Sequence, residues 1–439
     1  MRSASFFVAG LLFLAPFVDP RRPFRLLHLD LLALLLVAFG SLSYYIRYDL
    51  PLASILLGVV CLAYLGVRLL HMGFRPTRVR ERLVPLLSAR WLAVALLLVI
   101  AVRFAHVLVV HREDYVYDVG MSSVLGADRI GDGRELYDSQ GDQEYDPHWD
   151  TYGPVTYLSY VPFEQVAPWG GDLFDPSGWD DPDAARIAAV TFDLLVLAGL
   201  FLLGRRLRPG AEGRLLGLAL AYAWATYPLA LFDLRYNGND TLVAVFVLGA
   251  FLALTRPAVR GASAALAALT KFGPAVIAPL FATGTGEHRR RDWILFGAAF
   301  VAVALASLVP LLPPGGLDEL WDRTLGYQQG RSGFNSIWDP ISGVRWLQTI
   351  AQVAVAGLAV LLAFVPRRRS PLQVAALGAG LMAIMQLTMS YWFAAYVVWF
   401  APLAFAALFA VHDTRPLAGS PHAEPPKDRR PAEQAAAPG

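Results

Sequence analysis

Apolar and polar residues along this chain alternate in long blocks, not every second or fourth residue. Runs of roughly 18 to 25 apolar residues recur over nearly the whole length, the span an α-helix needs to cross a bilayer. Segments 4–18, 27–46, 52–70, 91–110, 186–204, 214–232, 239–255, 292–313, 341–365, 371–390 and 392–412 are the expected spans. One apolar segment breaks the alternation of sides. Residues 262–283 follow Arg256 and Arg260 and precede Arg289, Arg290 and Arg291, so both flanks favour the cytoplasm. Within it, Lys271-Phe272-Gly273-Pro274 places a lysine beside two helix breakers, which predicts a re-entrant hairpin. The expected fold is all-α, a polytopic transmembrane bundle of about eleven spans plus this hairpin.

Positive charge orients the bundle. Arg21, Arg22 and Arg25, then Arg75 to Arg90, then Arg205 to Arg214, then Arg367 to Arg369 mark successive cytoplasmic loops. Residues 111–185, between spans four and five, and 313–340 then fall outside. The first of these loops carries seventeen acids against Arg112, Arg129 and Arg134. The divisions expected are three N-terminal spans over 1–90, a core over 91–413, and a disordered cytoplasmic tail over 414–439. That tail is rich in Pro, Ala and mixed charge.

Composition narrows the chemistry. The chain has 439 residues, 56% of them hydrophobic and only 16% charged, which excludes an ordinary soluble domain. Cys61 is the only cysteine, so disulfides within the chain and thiolate metal sites are excluded. No phosphate loop, zinc signature or nucleophile elbow appears.

Candidate chemistry gathers at the external edge. Asp118 opens a stretch suited to a helix lying on the membrane surface, and Asp114 stands one helical turn before it. A carboxylate there is hydrated enough to stay ionised and near enough to reach a lipid head group, as a general base requires. Tyr152 lies in an aromatic run from Trp149 to Tyr160. A tight turn holds Arg235, Asn237, Asn239 and Asp240, with Arg235 suited to phosphate, Asn237 and Asn239 to sugar hydroxyls, and Asn239 or Asp240 also to capping. Arg331 stands among glycine and serine, apt for phosphate. Tyr391 and Trp392, with Tyr396 and Trp399, offer ring faces to a sugar or belong to the interfacial aromatic belt. Asp146, His148 and Asp150 are the best set for a divalent ion, but no metal or other cofactor is predicted.

With these residues placed, the chain resembles the GT-C superfamily of membrane glycosyltransferases, and within it the actinobacterial enzymes near glycosyltransferase family 87. The resemblance runs from about Arg90 to Asp413. It is carried by Asp118 in an acidic loop, Gly133-Arg134-Glu135-Leu136-Tyr137, Tyr152-Gly153-Pro154, Asn237-Gly238-Asn239-Asp240, Leu269-Thr270-Lys271 and Tyr391-Trp392 through Pro402. It implies a plasma-membrane enzyme with its site on the external face, a polyprenyl-phosphate-linked sugar as donor and a glycolipid or polysaccharide as acceptor. It also implies an aspartate of the first external loop as base, by position Asp118, with Asp114 second. Mannose or arabinose is the sugar by analogy. The competing reading is a transporter or flippase of lipid-linked glycans, which needs charge at the midplane, where only Asp193, Lys271 and Gln386 stand out. Nothing in the pattern points to nucleic acid.

Overall fold

In the computed structural model the described residues are 2–47, 52–75, 78–110, 116, 118–137, 149–169, 182–286, 290–331, 333, 336–338 and 343–417. Asp114, Asp146, His148, much of the first external loop and residues 418–439 lie outside them. Among the described residues there is no strand. The helices are α1 (Arg2–Leu14), α2 (Leu26–Arg47), α3 (Leu52–Phe74), α4 (Ala89–Ala105), α5 (Asp118–Gly131), α6 (Pro154–Val166), α7 (Asp183–Leu207), α8 (Gly210–Thr226) and α9 (Pro228–Arg235). There follow α10 (Asp240–Leu252), α11 (Pro257–Thr270), α12 (Ala278–Thr283), α13 (Arg290–Leu308), α14 (Gly316–Trp321), α15 (Tyr327–Gly330), α16 (Arg345–Phe364), α17 (Pro371–Gln386) and α18 (Ala401–Phe409).

Five of these are long and apolar enough to cross a membrane, at Ala53–Phe74, Ala89–Val109, Asp183–Leu207, Arg290–Leu311 and Arg345–Phe364. A sixth forms if α8 and α9, bent by 58° at Pro228, count as one broken span. Hydropathy alone leads to about eleven. The difference lies in shorter apolar helices at Ala4–Leu14, Leu26–Gly40, Asp240–Leu252, Gly273–Thr283 and Pro371–Gln386. Several of the apolar runs are cut by proline or glycine, which end a helix before it reaches full length.

Burial divides the helices into two sets. α4, α13 and α16 turn large apolar side chains outward, among them Leu98, Val102, Ile294, Leu305, Ile350 and Val353. Such faces suit a lipid surrounding. The segments of α8, α10, α17 and α18 are enclosed, with Trp224, Phe251, Met382 and Phe405 almost wholly buried. The N-terminal helices pack directly on this core. Tyr222 Oη donates to the Leu12 carbonyl at 3.0 Å, Tyr227 Oη donates to the Leu34 carbonyl at 3.2 Å, and Phe13 meets Tyr227 at 5.4 Å between ring centres.

Segment 257–283 folds back on itself. α11 ends at Thr270, Gly273–Ile277 forms a 3-10 turn, and α12 completes the return. Arg260, near the start of α11, donates to the Ala282 carbonyl near the end of α12 at 3.3 Å. The bend therefore sits at Lys271–Pro274, as the helix breakers predict.

A charge pair locks α4 to α7. Arg103 Nη2 lies 3.0 Å from Asp193 Oδ1, and Trp224 Nε1 donates to the same oxygen at 2.8 Å. Both charged side chains are buried, so removing one strands the other. Asp193→Ala should destabilise the bundle by roughly 3–5 kcal/mol, seen as a fall in the thermal unfolding midpoint of the detergent-solubilised protein.

Candidate active site

Two structural joints bring the polar groups together at one end of the bundle. The first seats α5. Gly120 lies so close to the Asn237 carbonyl that a Cβ there would come within 2.4 Å of its oxygen. Asn239 Nδ2 donates to Ser123 Oγ at 3.0 Å and to the Val119 carbonyl at 3.4 Å. The turn that offers these groups is fixed from within. Asp233 Oδ2 accepts from Thr241 N at 2.7 Å and from Thr241 Oγ1 at 2.6 Å, and Asn237 adopts φ 55°, a conformation asparagine tolerates better than most residues. Asp118 begins α5, is exposed, and accepts from Val119 N at 2.8 Å. A helix N-terminus favours that negative charge.

The second joint docks Tyr152-Gly153-Pro154 on the end of α11. Gly153 N donates to the Thr270 carbonyl at 3.2 Å, and Thr156 Oγ1 donates to the same carbonyl at 2.8 Å. Any side chain at Gly153 would meet the Leu269 carbonyl oxygen at 1.9 Å. Tyr157 Oη accepts from Tyr152 N at 3.1 Å and donates to the Trp149 carbonyl at 3.1 Å, while Tyr137 Oη donates to the Tyr152 carbonyl at 2.9 Å. Tyr152 is thus held from both sides of its own peptide.

Between the joints lies a cavity of about 210 Å³, lined in part by Tyr152, Lys271, Gln328, Tyr391, Tyr396 and Trp399. Lys271 Nζ contacts Asp240 Oδ1 at 2.8 Å and stands 5.0 Å from the Tyr152 ring centre and 5.4 Å from that of Tyr396. Trp399 Nε1 donates to the same Asp240 oxygen at 2.7 Å, and its ring stacks on Tyr396 at 4.3 Å. Arg331 stacks on Tyr391, its Cζ 3.8 Å from the ring centre. Burial raises the Tyr152 phenol well above its ordinary value, and the Asp118 charge raises it further. Tyr391 is also raised, first by burial and in lesser part by Asp118, against the lowering effect of Arg331. Asp118 therefore acts electrostatically on the tyrosines of the cavity wall.

Of the residues singled out in the sequence, Tyr152 and Tyr391 line this cavity and Arg331 stacks on Tyr391, whereas Asp118, at the start of α5, is not among the lining residues. Arg235 is buried elsewhere, 5.9 Å from the Phe6 ring centre and 5.5 Å from that of Tyr236. Asn237 and Asn239 brace α5. Trp392 Nε1 donates to Gln386 Oε1 at 3.1 Å, in a wall it shares with Val59 and Leu62 of α3. Asp150, considered above for a divalent ion, is 2.6 Å from Arg323 Nη2. Among the described residues no group of three metal-binding side chains forms. Sequence reasoning offers Tyr396 and Trp399 as ring faces and Asp240 only as a cap, and it gives Lys271 and Gln328 no place in the site. The available signal was Lys271 itself, since a lysine inside an apolar segment needs a counter-ion.

A many-helix protein with a buried lysine, a ring-stacked arginine and aromatic rings about one cavity has the make-up of a membrane enzyme. The chain belongs to glycosyltransferase family 87, whose model matches residues 151–389, more than half of its length. It is a glycosyltransferase of that family. No curated protein matches it. The matched segment holds Tyr152, Asp240, Lys271 and Arg331; Asp118 and Tyr391 flank it.

The Asp150–Arg323 pair supplies a pH test. Burial pushes the Asp150 carboxyl up to about 6, outweighing the Arg323 guanidinium that lowers it. Wild-type Asp150 is mostly protonated below that pH and charged above it. A group whose folded pKa is raised makes the fold less stable as pH rises from the unfolded value through about 6. Asp150→Asn mimics the protonated form but cannot pair with Arg323. Because asparagine does not titrate, the unfolding midpoint of the variant should rise relative to wild type as pH goes from about 4 through about 6 and stay higher by a constant margin above it, measured by thermal denaturation at pH 4 and pH 7.

Proposed function

We propose that this enzyme transfers a sugar from a polyprenyl-phosphate-linked donor to a hydroxyl of a glycolipid or polysaccharide acceptor, at the external face of the plasma membrane. The observation that carries the reading is a cavity lined by the buried Lys271 and by Tyr152, Tyr391 and Tyr396, with Arg331 stacked on Tyr391. The positive-inside pattern supports an external position for that end of the bundle.

Asp118 takes the proton of the acceptor hydroxyl, and the freed oxygen attacks the anomeric carbon from the face opposite the phosphate. The bond from that carbon to the phosphate oxygen breaks and lipid phosphate leaves, so the anomeric centre inverts. Negative charge builds on the leaving oxygen, and Arg331 and Lys271 are placed to offset it. Lys271 has three N–H donors, of which the Asp240 contact takes one. Tyr152, Tyr391 and Tyr396 would give the sugar ring apolar faces and hydroxyls.

The test is turnover of radiolabelled polyprenyl-phospho-sugars, mannosyl and arabinosyl among them, by the purified protein. Asp118→Asn should lower release of lipid phosphate by about 10²–10⁴-fold, as loss of a general base does. Loss in Asp114→Asn alone would move the base one turn earlier. Lys271→Met should lower turnover while Asp118→Asn still binds the donor. No turnover by folded wild-type protein with any such donor would overturn the reading.

A further inference from the structure

At the opposite end of the bundle the termini of α3, α7, α8, α17 and α18 enclose a larger cavity, of about 1340 Å³. α17 separates the two: Ser370 and Gln373 line this cavity, whereas Met389 and Tyr391 line the candidate active site. The sixteen residues of α17 put roughly 24 Å between them at 1.5 Å per residue.

The walls are amphiphilic. Met72, Leu207, Leu372 and Ala407 make the interior apolar. Four arginines, Arg78, Arg80, Arg208 and Arg415, face Glu212 and Asp413. Two are already neutralised. Arg415 Nη2 lies 2.6 Å from Asp413 and Arg208 Nη1 lies 3.6 Å from Glu212. Arg208 also donates to the Ala410 carbonyl at 2.7 Å and the His412 carbonyl at 2.6 Å, so its role is structural. Among the described residues the side chains of Arg78 and Arg80 have no hydrogen-bond or ion-pair partner. Both are exposed at the cavity.

Their placement is fixed by backbone. Val79 N donates to the Val411 carbonyl at 3.1 Å, Asp413 N to the Glu81 carbonyl at 2.9 Å, and Leu83 N to the Asp413 carbonyl at 2.9 Å. These bonds tie residues 79–83 to residues 411–413, and Arg78 and Arg80, two apart in the chain, both reach the cavity wall. Arg78 and Arg80 thereby form a two-cation clamp beside an apolar hollow. A guanidinium pair suits phosphate oxygens, and the hollow suits hydrocarbon.

We infer that this cavity binds an anionic phospholipid of the cytoplasmic leaflet, its phosphate held by Arg78 and Arg80 and its acyl chains lying on the apolar wall. The inference is independent of the sugar-transfer reading. It is tested by binding of dioctanoyl phosphatidylglycerol, dioctanoyl phosphatidylcholine and inorganic phosphate to the full-length protein in uncharged detergent, followed by microscale thermophoresis. Phosphatidylglycerol should bind roughly tenfold or more tighter than phosphatidylcholine. That preference should vanish in Arg78→Ala/Arg80→Ala and survive in Arg78→Lys/Arg80→Lys. Equal affinity for both lipids in the wild type overturns the proposal, whether or not the double alanine variant folds. So does an unchanged preference in a folded alanine variant. Inorganic phosphate displacing the lipid at equal concentration would assign the site to a free phosphate and overturn the lipid.

Discussion

The contact between Lys271 and Asp240 is the constraint on which the candidate site depends. Both side chains are almost wholly buried, and a buried charge without a partner costs several kcal/mol. The pair therefore dictates where three distant pieces of chain must meet. α11 has to end at Lys271, α10 has to begin at Asp240, and Trp399 of the 394–399 turn has to bring its indole N–H to the same carboxylate oxygen. A buried ion pair is weak evidence of stability, because apolar residues in its place often do as well. Its persistence here goes with the cavity beside it, where a cation held by a neutral-sum pair still presents N–H donors.

The bundle has two chemically different ends. At one, a lysine and tyrosines line a small cavity with an arginine stacked on one of the rings; at the other, arginines dominate the loops and the larger hollow. Between them the helices carry few charges, and the buried Arg103–Asp193 pair is internally neutral. Such an arrangement fits an enzyme that works at a membrane surface better than a carrier that must pass a polar cargo through the midplane.

Much of the fold was legible because hydropathy is a strong signal in a membrane chain. Helicity, the enclosing spans and the hairpin at Lys271–Pro274 follow from apolar run length, arginine position and helix breakers. The number of full spans was not, since run length does not reveal where α8 bends into α9 at Pro228 or that α10 and α17 stop short. In the site, Asp118, Tyr152, Arg331 and Tyr391 were legible as polar or aromatic groups at a loop edge. Asn239 and Trp392 show the limit. An asparagine next to a span and a tryptophan next to a tyrosine look alike in sequence whether they face a ligand or a neighbouring helix. Asn239 turns to Ser123 of α5 and Trp392 to Gln386 of α17, and only the packing decides it. Lys271 was visible as an anomaly, but its counter-ion, 31 residues away, was not.

The same packing assigns the Asn237–Asp240 turn a role that contact with substrate would not explain. Its first part receives α5: the Asn237 carbonyl meets Gly120, and Asn239 holds Ser123 and Val119. Its last residue, Asp240, holds Lys271. Four consecutive residues thus set the position of the acid-bearing helix and of the buried cation at once. Internal bonds from Asp233 to Thr241 make that turn stiff. The displacement proposed above would need base and leaving-group cation on opposite sides of one carbon, at a separation that errors of an ångström spoil. On that proposal, holding both from one short, internally bonded turn would fix that separation without relying on the packing of long helices, whose positions adjust to the surrounding lipid.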